Sequence, residues 1–342
     1  MKKAFLIATF SGQARRAVCE EHLQELAFLS DTYGLEVVKI LPCNLRTITA
    51  STYLSEGKVK EVKELIDQTD ADVIIFDEEI SPAQQRNLEE VFGREVIDRT
   101  ELIIAVFAQR AHTKEAQLQV ELAQVRYQFP RLKRLWTHLD RQGTGGGSGG
   151  SGGGYLRGEG EKQIEIDKRL LERQVKRLES QIAQVHLHRE TQRTARARSA
   201  IPTFALIGYT NVGKSSLLNA LTDAGVFVED KLFATLDTTT RRFELPNQKS
   251  VLVIDTVGFI RKLPHLLVAA FKSTLEEACN ADILLHVVDL SHPLAWEQAK
   301  ASMEVLKELN MEGKPIITVL NKVDRLHDPA LITKLRLTYP KT

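Results

Sequence analysis

Gly208-Tyr209-Thr210-Asn211-Val212-Gly213-Lys214-Ser215 follows the β-type apolar run Thr203–Ile207 and leads into Ser216–Leu221, which reads as the start of a helix. This is the spacing of a phosphate-binding loop in its required strand-to-helix setting. Glycines let the main chain wrap a phosphate, amide N–H groups and the helix N-terminus favour the anion, a lysine reaches the terminal phosphates, and a hydroxyl can hold magnesium. Two further motifs extend the pattern downstream. Asp255-Thr256-Val257-Gly258 follows the apolar strand Val251–Ile254, and Asn321-Lys322-Val323-Asp324 follows the strand Pro315–Leu320. Asp255 is the expected magnesium carboxylate, directly or through water, and the Gly258 amide the expected contact to the terminal phosphate. Asp324 can accept two hydrogen bonds from guanine N1–H and its 2-amino group, whereas adenine would leave a desolvated carboxylate facing an acceptor. The set therefore predicts GTP as ligand, with hydrolysis assisted by Lys214 and Gly258. Between the first two motifs, Phe233–Arg242 reads as a threonine-rich loop that would supply a hydroxyl to magnesium, and composition does not choose among Thr235, Thr238, Thr239 and Thr240.

Outward from this site, 342 residues allow two or three domains. Charge is unevenly spread. Residues 1–110 hold 13 basic and 19 acidic side chains (net −6), residues 111–199 hold 17 and 10 (net +7), and residues 200–342 hold 16 of each. The basic middle segment implies an acidic partner, nucleic acid before membrane; a solvated helical surface is the alternative. No run of about 18 apolar residues predicts a membrane span. Met1–Phe10 is too short an apolar run for a signal peptide and reads as a strand. Three dispersed cysteines, Cys19, Cys43 and Cys279, fit a reducing cytosol, without a metal cluster.

Strands at Ala4–Phe10, Leu35–Leu41 and Asp72–Phe76 alternate with helices at Ala14–Tyr33 and Lys58–Gln68, predicting a small parallel α/β domain over residues 1–110. In the middle segment, 111–199, Leu118, Leu122, Val125 and Phe129, and then Leu171, Val175, Leu178, Ile182 and Val185, recur at helical spacing. Two helices in an antiparallel hairpin follow, joined by a glycine-rich loop at 143–160. Arg131, Lys133, Arg134, Arg141 and Arg157 surround that loop and are the candidate RNA contacts, each neutralised phosphate releasing counterions; a purely structural hairpin is the alternative. Residues 200–342 form the nucleotide domain. The expected fold is thus α/β: a small parallel domain, a helical hairpin and a P-loop domain with a parallel-rich sheet.

With these motifs in place, the chain resembles the HflX family of translation-associated GTPases over essentially its full length. Phe233-Ala234-Thr235-Leu236-Asp237 matches the family's first switch, and Asp255 to Phe259-Ile260 its second. Ser81-Pro82-Ala83-Gln84, Asp98-Arg99-Thr100, Leu118-Gln119-Val120-Glu121-Leu122-Ala123 and the segment Arg157–Arg169 also look like family signatures. The resemblance implies that Thr235 joins Ser215 on magnesium and contributes to hydrolysis. It also implies GTP and GDP as ligands, a monomer in the cytoplasm, and binding to the large ribosomal subunit and its RNA with splitting or recycling of ribosomes. Thr238, Glu159 and Lys162 depart from the family pattern. The chain is expected to be a fragment stopping before the fifth motif, a Ser-Ala dipeptide against guanine, and so to bind nucleotide more weakly. Phe259 stands where Ras-like GTPases place the glutamine that orients water, so intrinsic hydrolysis should be slow and the missing element should come from the docked partner. Asn211 matches the asparagine of potassium-activated GTPases, making potassium a candidate second cation. A module that senses nucleotide without efficient hydrolysis, and an N-terminal domain that remodels RNA with ATP, are the rival readings.

Overall fold

The computed structural model describes residues 1–142, 154–197, 201–222, 229, 231–236, 238–264, 267, 280–309, 311, 313–325 and 330–338. Two compact units emerge, Met1–Val106 with Glu121–Gln181, and Phe107–Val120 with Ile182–Thr342.

The first unit is built on β1 (Lys3–Phe10), β2 (Glu36–Asn44), β3 (Val73–Phe76) and β4 (Glu95–Asp98), all parallel in the order β2-β1-β3-β4. Between them run α1 (Arg16–Tyr33), α2 (Glu56–Asp67) and α3 (Pro82–Phe92). Ala4–Ala8 of β1 and all of β3 are buried, as expected of parallel strands covered on both faces. Neither α3 nor β4 is among the elements expected from periodicity. A capping box starts α3, with the Ser81 side chain accepting from Gln84 N and Gln84 accepting from Ser81 N, and Pro82 at the first turn.

Three more helices precede residue 200: α4 (Arg99–Arg110), α5 (Lys114–Gln142) and α6 (Gly154–Ala197). Leu118, Leu122, Val125 and Leu178 are buried, in keeping with the helical stripes. The expected loop at 143–160 is corrected at its second end. Residues 154–160 are already helical, because Tyr155, Leu156, Arg157, Glu159 and Glu161 are adequate to good helix formers that carry the helix through Gly158 and Gly160. Residues 143–153 lie outside the described residues.

Arg131, one of the candidate RNA contacts, is engaged within its own unit. Its guanidinium donates to Asp98 Oδ2 (2.9 Å), Ile80 O (3.2 Å) and Gln85 Oε1 (3.1 Å), and lies 3.5 Å over the Tyr127 ring. Asp98, fully buried at the end of β4, also accepts from Tyr127 Oη at 2.7 Å and Glu101 N at 2.9 Å. Arg99 beside it is buried and paired with Asp77 (3.0 Å) and Glu25. Buried carboxylates must be paired, and Arg131 is the cation that Asp98 uses. The side chains of Lys133, Arg134, Arg141 and Arg157 lie outside the described residues.

In the second unit, β5 (Thr203–Gly208), β6 (Thr239–Glu244), β7 (Ser250–Asp255), β8 (Ile283–Asp289) and β9 (Ile316–Asn321) lie in the order β6-β7-β5-β8-β9, with only β6 antiparallel. Helices α7 (Lys214–Thr222), α8 (Ala295–Glu308) and α9 (Ala330–Thr338) accompany them. The threonine-rich stretch is therefore not loop to its end. Thr239 and Thr240 pair with Asp255 and Ile254, since β-branched residues suit a strand. Leu206 pairs with Asp255, Gly208 with Val287, and Asp289 with Asn321. Parallel strands in this register deliver their C-terminal ends, and all three motifs, to one edge of the sheet.

Candidate nucleotide site

Gly208 leaves β5 with φ 147°, and a Cβ there would lie 2.3 Å from the Val287 carbonyl oxygen, so only glycine allows β5 and β8 to approach this closely. Beyond it the loop turns through Asn211 (φ 59°) and Gly213 into α7. Lys214, the first residue of α7, folds back so that Nζ donates to the Tyr209 carbonyl (2.7 Å) and the Gly208 carbonyl (3.3 Å). Burial pushes its pKa down to about 8, with Asp255 opposing the shift. The folded pKa lies below the ordinary 10.5, so the buried charge costs stability below about pH 8 and that cost fades as pH rises towards 10.5. A bound phosphate reverses the balance by favouring the ammonium. Affinity for GDP should thus fall by roughly tenfold per pH unit above about 8 and hold steady below it, with proton uptake at pH 9 visible by calorimetry in buffers of different ionisation enthalpy. A flat affinity between pH 7 and 9.5 would contradict this.

One turn on, Ser215 Oγ stands 2.7 Å from Thr235 Oγ1 and donates to Asp255 Oδ2 at 2.5 Å. The second carboxylate oxygen, Asp255 Oδ1, is buried without a hydrogen-bond partner. Burial raises the Asp255 pKa, against the pull of Lys214 and the Ser215 and Thr235 hydroxyls. Two hydroxyls and an under-bonded carboxylate, all hard oxygen donors, fit a magnesium ion. Thr235 alone of the four candidate threonines meets Ser215 here. Around it, Phe233 and Leu236 are buried, Ala234 lines a pocket together with Thr210, Lys214 and Ser215, and Asp237 lies outside the described residues.

Contacts that no sequence motif announces hold this segment. The Phe233 ring packs on Phe107 of α4 at 4.5 Å between centroids. Glu229 pairs with Arg110 (2.9 Å) and Lys231 (2.7 Å). No local pattern signals a contact across 126 positions between two phenylalanines.

Gly258 sits against the P-loop: a Cβ at this position would meet Thr210 Cα at 2.7 Å and Lys214 Nζ at 3.0 Å. Main-chain bonds fasten the segment, Thr210 N to Phe259 O (2.7 Å) and Phe259 N to Gly208 O (3.0 Å), and Thr256 Oγ1 donates to Leu206 O (2.6 Å). Phe259 is buried, so its ring packs in the core and orients no water. Val257 is buried beside it.

The third motif divides its labour. Asn321 Nδ2 donates to Val212 O (2.7 Å), and Lys322 Nζ donates to Asn211 O (2.9 Å) while pairing with Asp289 (2.7 Å). Val323 and Asp324 are exposed, the Asp324 carboxylate 81% so, beside Arg325. Asp289 was not foreseen, although the stretch Ile283–Val288 before it, apolar but for His286, marks a strand end. Ser216 is exposed on the first turn of α7.

A phosphate loop, a buried carboxylate with two hydroxyls, and an asparagine-lysine-aspartate motif on one edge of a parallel-rich sheet define a P-loop GTPase. Residues 203–322 match the 50S ribosome-binding GTPase family, residues 20–108 the GTP-binding GTPase N-terminal family and residues 110–196 the GTP-binding GTPase middle region. A GTPase HflX of Chlamydia pneumoniae is 53% identical over 339 residues, covering 99% of this chain and 71% of the relative. The GTPase HflX of Escherichia coli is 45% identical over 308 residues, covering 90% and 70%. Among solved structures, a GTP-binding protein from the archaeon Sulfolobus solfataricus in complex with GDP superimposes with TM-score 0.50 at 27% identity, covering 98% of this chain and 87% of that one. The SsGBP–GDP complex gives TM-score 0.55 with the same identity and coverage. The chain belongs to the HflX family of GTPases. Among the described residues no helix is long and apolar enough to cross a membrane.

Proposed function

We propose that this GTPase is a magnesium-dependent switch that works on the large ribosomal subunit, separating or recycling ribosomes, as a monomer in the cytoplasm. The observation that carries the switch is the convergence of Ser215, Thr235 and Asp255, which joins the P-loop, the first switch and the second in one cluster. In this reading Gly208–Ser216 wrap the phosphates and Lys214 neutralises them, while Phe233–Asp237 and Asp255–Gly258 respond to the terminal one. Asn321 and Lys322 support the loop, and Asp324, with Val323 beside it, reads guanine. Bound magnesium would lie among Ser215, Thr235 and Asp255 and offset charge on the phosphate oxygens. The ribosomal role is supported by the match of residues 203–322 to the 50S ribosome-binding GTPase family. The basic hairpin at 111–199, between a domain at 1–110 and the GTPase domain at 200–342, is the proposed RNA-binding element, with Lys133, Arg134, Arg141 and Arg157 as its contacts.

With Phe259 buried, its ring cannot supply the water-orienting amide that Ras-like enzymes use, so the ribosome is proposed to complete the site. Turnover of GTP is expected to rise at least about tenfold with purified large subunits and to vanish in Lys214→Ala. Unchanged turnover on bound subunits would instead describe a nucleotide-sensing module. Running the same assay in sodium tests potassium: Asn211 holds a left-handed turn at the loop's mouth, and equal rates in both salts would remove the second cation.

A further inference from the structure

Tyr209 follows Gly208 in the P-loop, and its main chain has a role already, since its carbonyl accepts from Lys214. Its side chain does something separate. The ring is buried, and the phenolic oxygen accepts a hydrogen bond of 2.6 Å from the Arg261 N–H, 52 positions along the chain. The same two segments are joined by the main-chain bonds Thr210 N to Phe259 O and Phe259 N to Gly208 O. Tyr209 therefore adds the third rung of a short zipper, and the only one of the three that a side chain makes. Gly258 is the residue immediately before the zipped stretch, pressed against Thr210 and Lys214.

We propose that Tyr209 is a positioning residue whose hydroxyl latches the second switch onto the P-loop and so sets the preference for a nucleoside triphosphate over the diphosphate. This rests on the reading above that the Gly258 amide meets the terminal phosphate. A diphosphate engages the P-loop amides, Lys214 and Ser215 but leaves Gly258 unused. A triphosphate must recruit that amide, and the latch holds it in place beforehand, which lowers the ordering cost of binding. The phenol suits the task because it accepts from a main-chain amide while its ring fills the core, where aliphatic residues would offer no acceptor.

The test is Tyr209→Phe, which keeps the ring and deletes the oxygen. One neutral hydrogen bond lost should weaken binding of a non-hydrolysable GTP analogue by about five- to tenfold more than it weakens binding of GDP. Amide exchange at Arg261 should accelerate in the free variant by a similar factor. Equal loss of both nucleotides, or unchanged Arg261 exchange, would overturn the latch and leave Tyr209 a core residue. If the parent protein itself binds the two nucleotides alike, the failure belongs to the reading of Gly258, which the exchange measurement distinguishes because it needs no nucleotide. Should Tyr209→Phe fold poorly, Tyr209→Leu, which also lacks the acceptor without adding bulk, answers the same exchange question.

Discussion

Gly258→Ala should lower GTP hydrolysis by at least about 100-fold while leaving GDP affinity within about threefold of the parent, on the scale of losing one preorganised donor to developing charge. The added Cβ would lie 2.7 Å from Thr210 Cα and 2.9 Å from Thr210 Cγ2. Neither neighbour can yield cheaply, because Thr210 is buried and its amide is bound to Phe259 O. The second switch must then back away and carry the 258 amide with it. Single-turnover hydrolysis beside equilibrium GDP binding separates the two effects. Near-parental turnover in the variant would remove Gly258 from the phosphate site.

Arg131→Ala is expected to destabilise the first unit by about 3–5 kcal/mol, the range found when one partner of a buried ion pair is removed. Asp98 would keep its bonds from Tyr127 and Glu101 but lose its cation, while fully buried at the end of β4. Arg131→Lys should recover only part of the loss, because one ammonium cannot reach Asp98, Ile80 and Gln85 together and still cover the Tyr127 ring. Urea unfolding of the chain with and without the change measures this directly. A loss under about 1 kcal/mol accompanied by weaker RNA binding would return Arg131 to the surface role that its charge suggested.

Arg131 also shows where sequence stops being informative. Its place in a basic run gives its charge but not its face, and a helix turns one residue in a cluster inwards as readily as another until a buried partner is known. Asp98 is 33 positions away, so nothing local announces the pair. The phosphate site was far more legible. Each of its motifs combines an apolar strand with residues whose chemistry is specific to a phosphate, a metal or guanine, and parallel strands bring such ends together without further information. Within it, Thr235 was separable from Thr239 and Thr240 by family resemblance, while composition alone ran all four threonines into one loop. Packing hid the rest. Phe107 and Phe233, and Arg110 with Glu229, are ordinary residues whose meaning lies only in their proximity. The start of α3 lay within reach, since Ser81, Pro82 and Gln84 spell a capping box, whereas β6 opens on the threonines that made it look like loop.

The motif at 321–324 splits into two halves that differ in how freely they can change. Asn321 and Lys322 tie Val212, Asn211 and Asp289 into a cross-brace under the phosphate loop, whereas Asp324 stands out in solvent with no share in it. Redesign of base choice can therefore proceed at one address without disturbing the foundations. On the proposed reading of guanine by Asp324, swapping that residue changes which base is welcomed and leaves the cradle standing, but altering Asn321 or Lys322 rebuilds the floor on which every nucleotide, whatever its base, must rest.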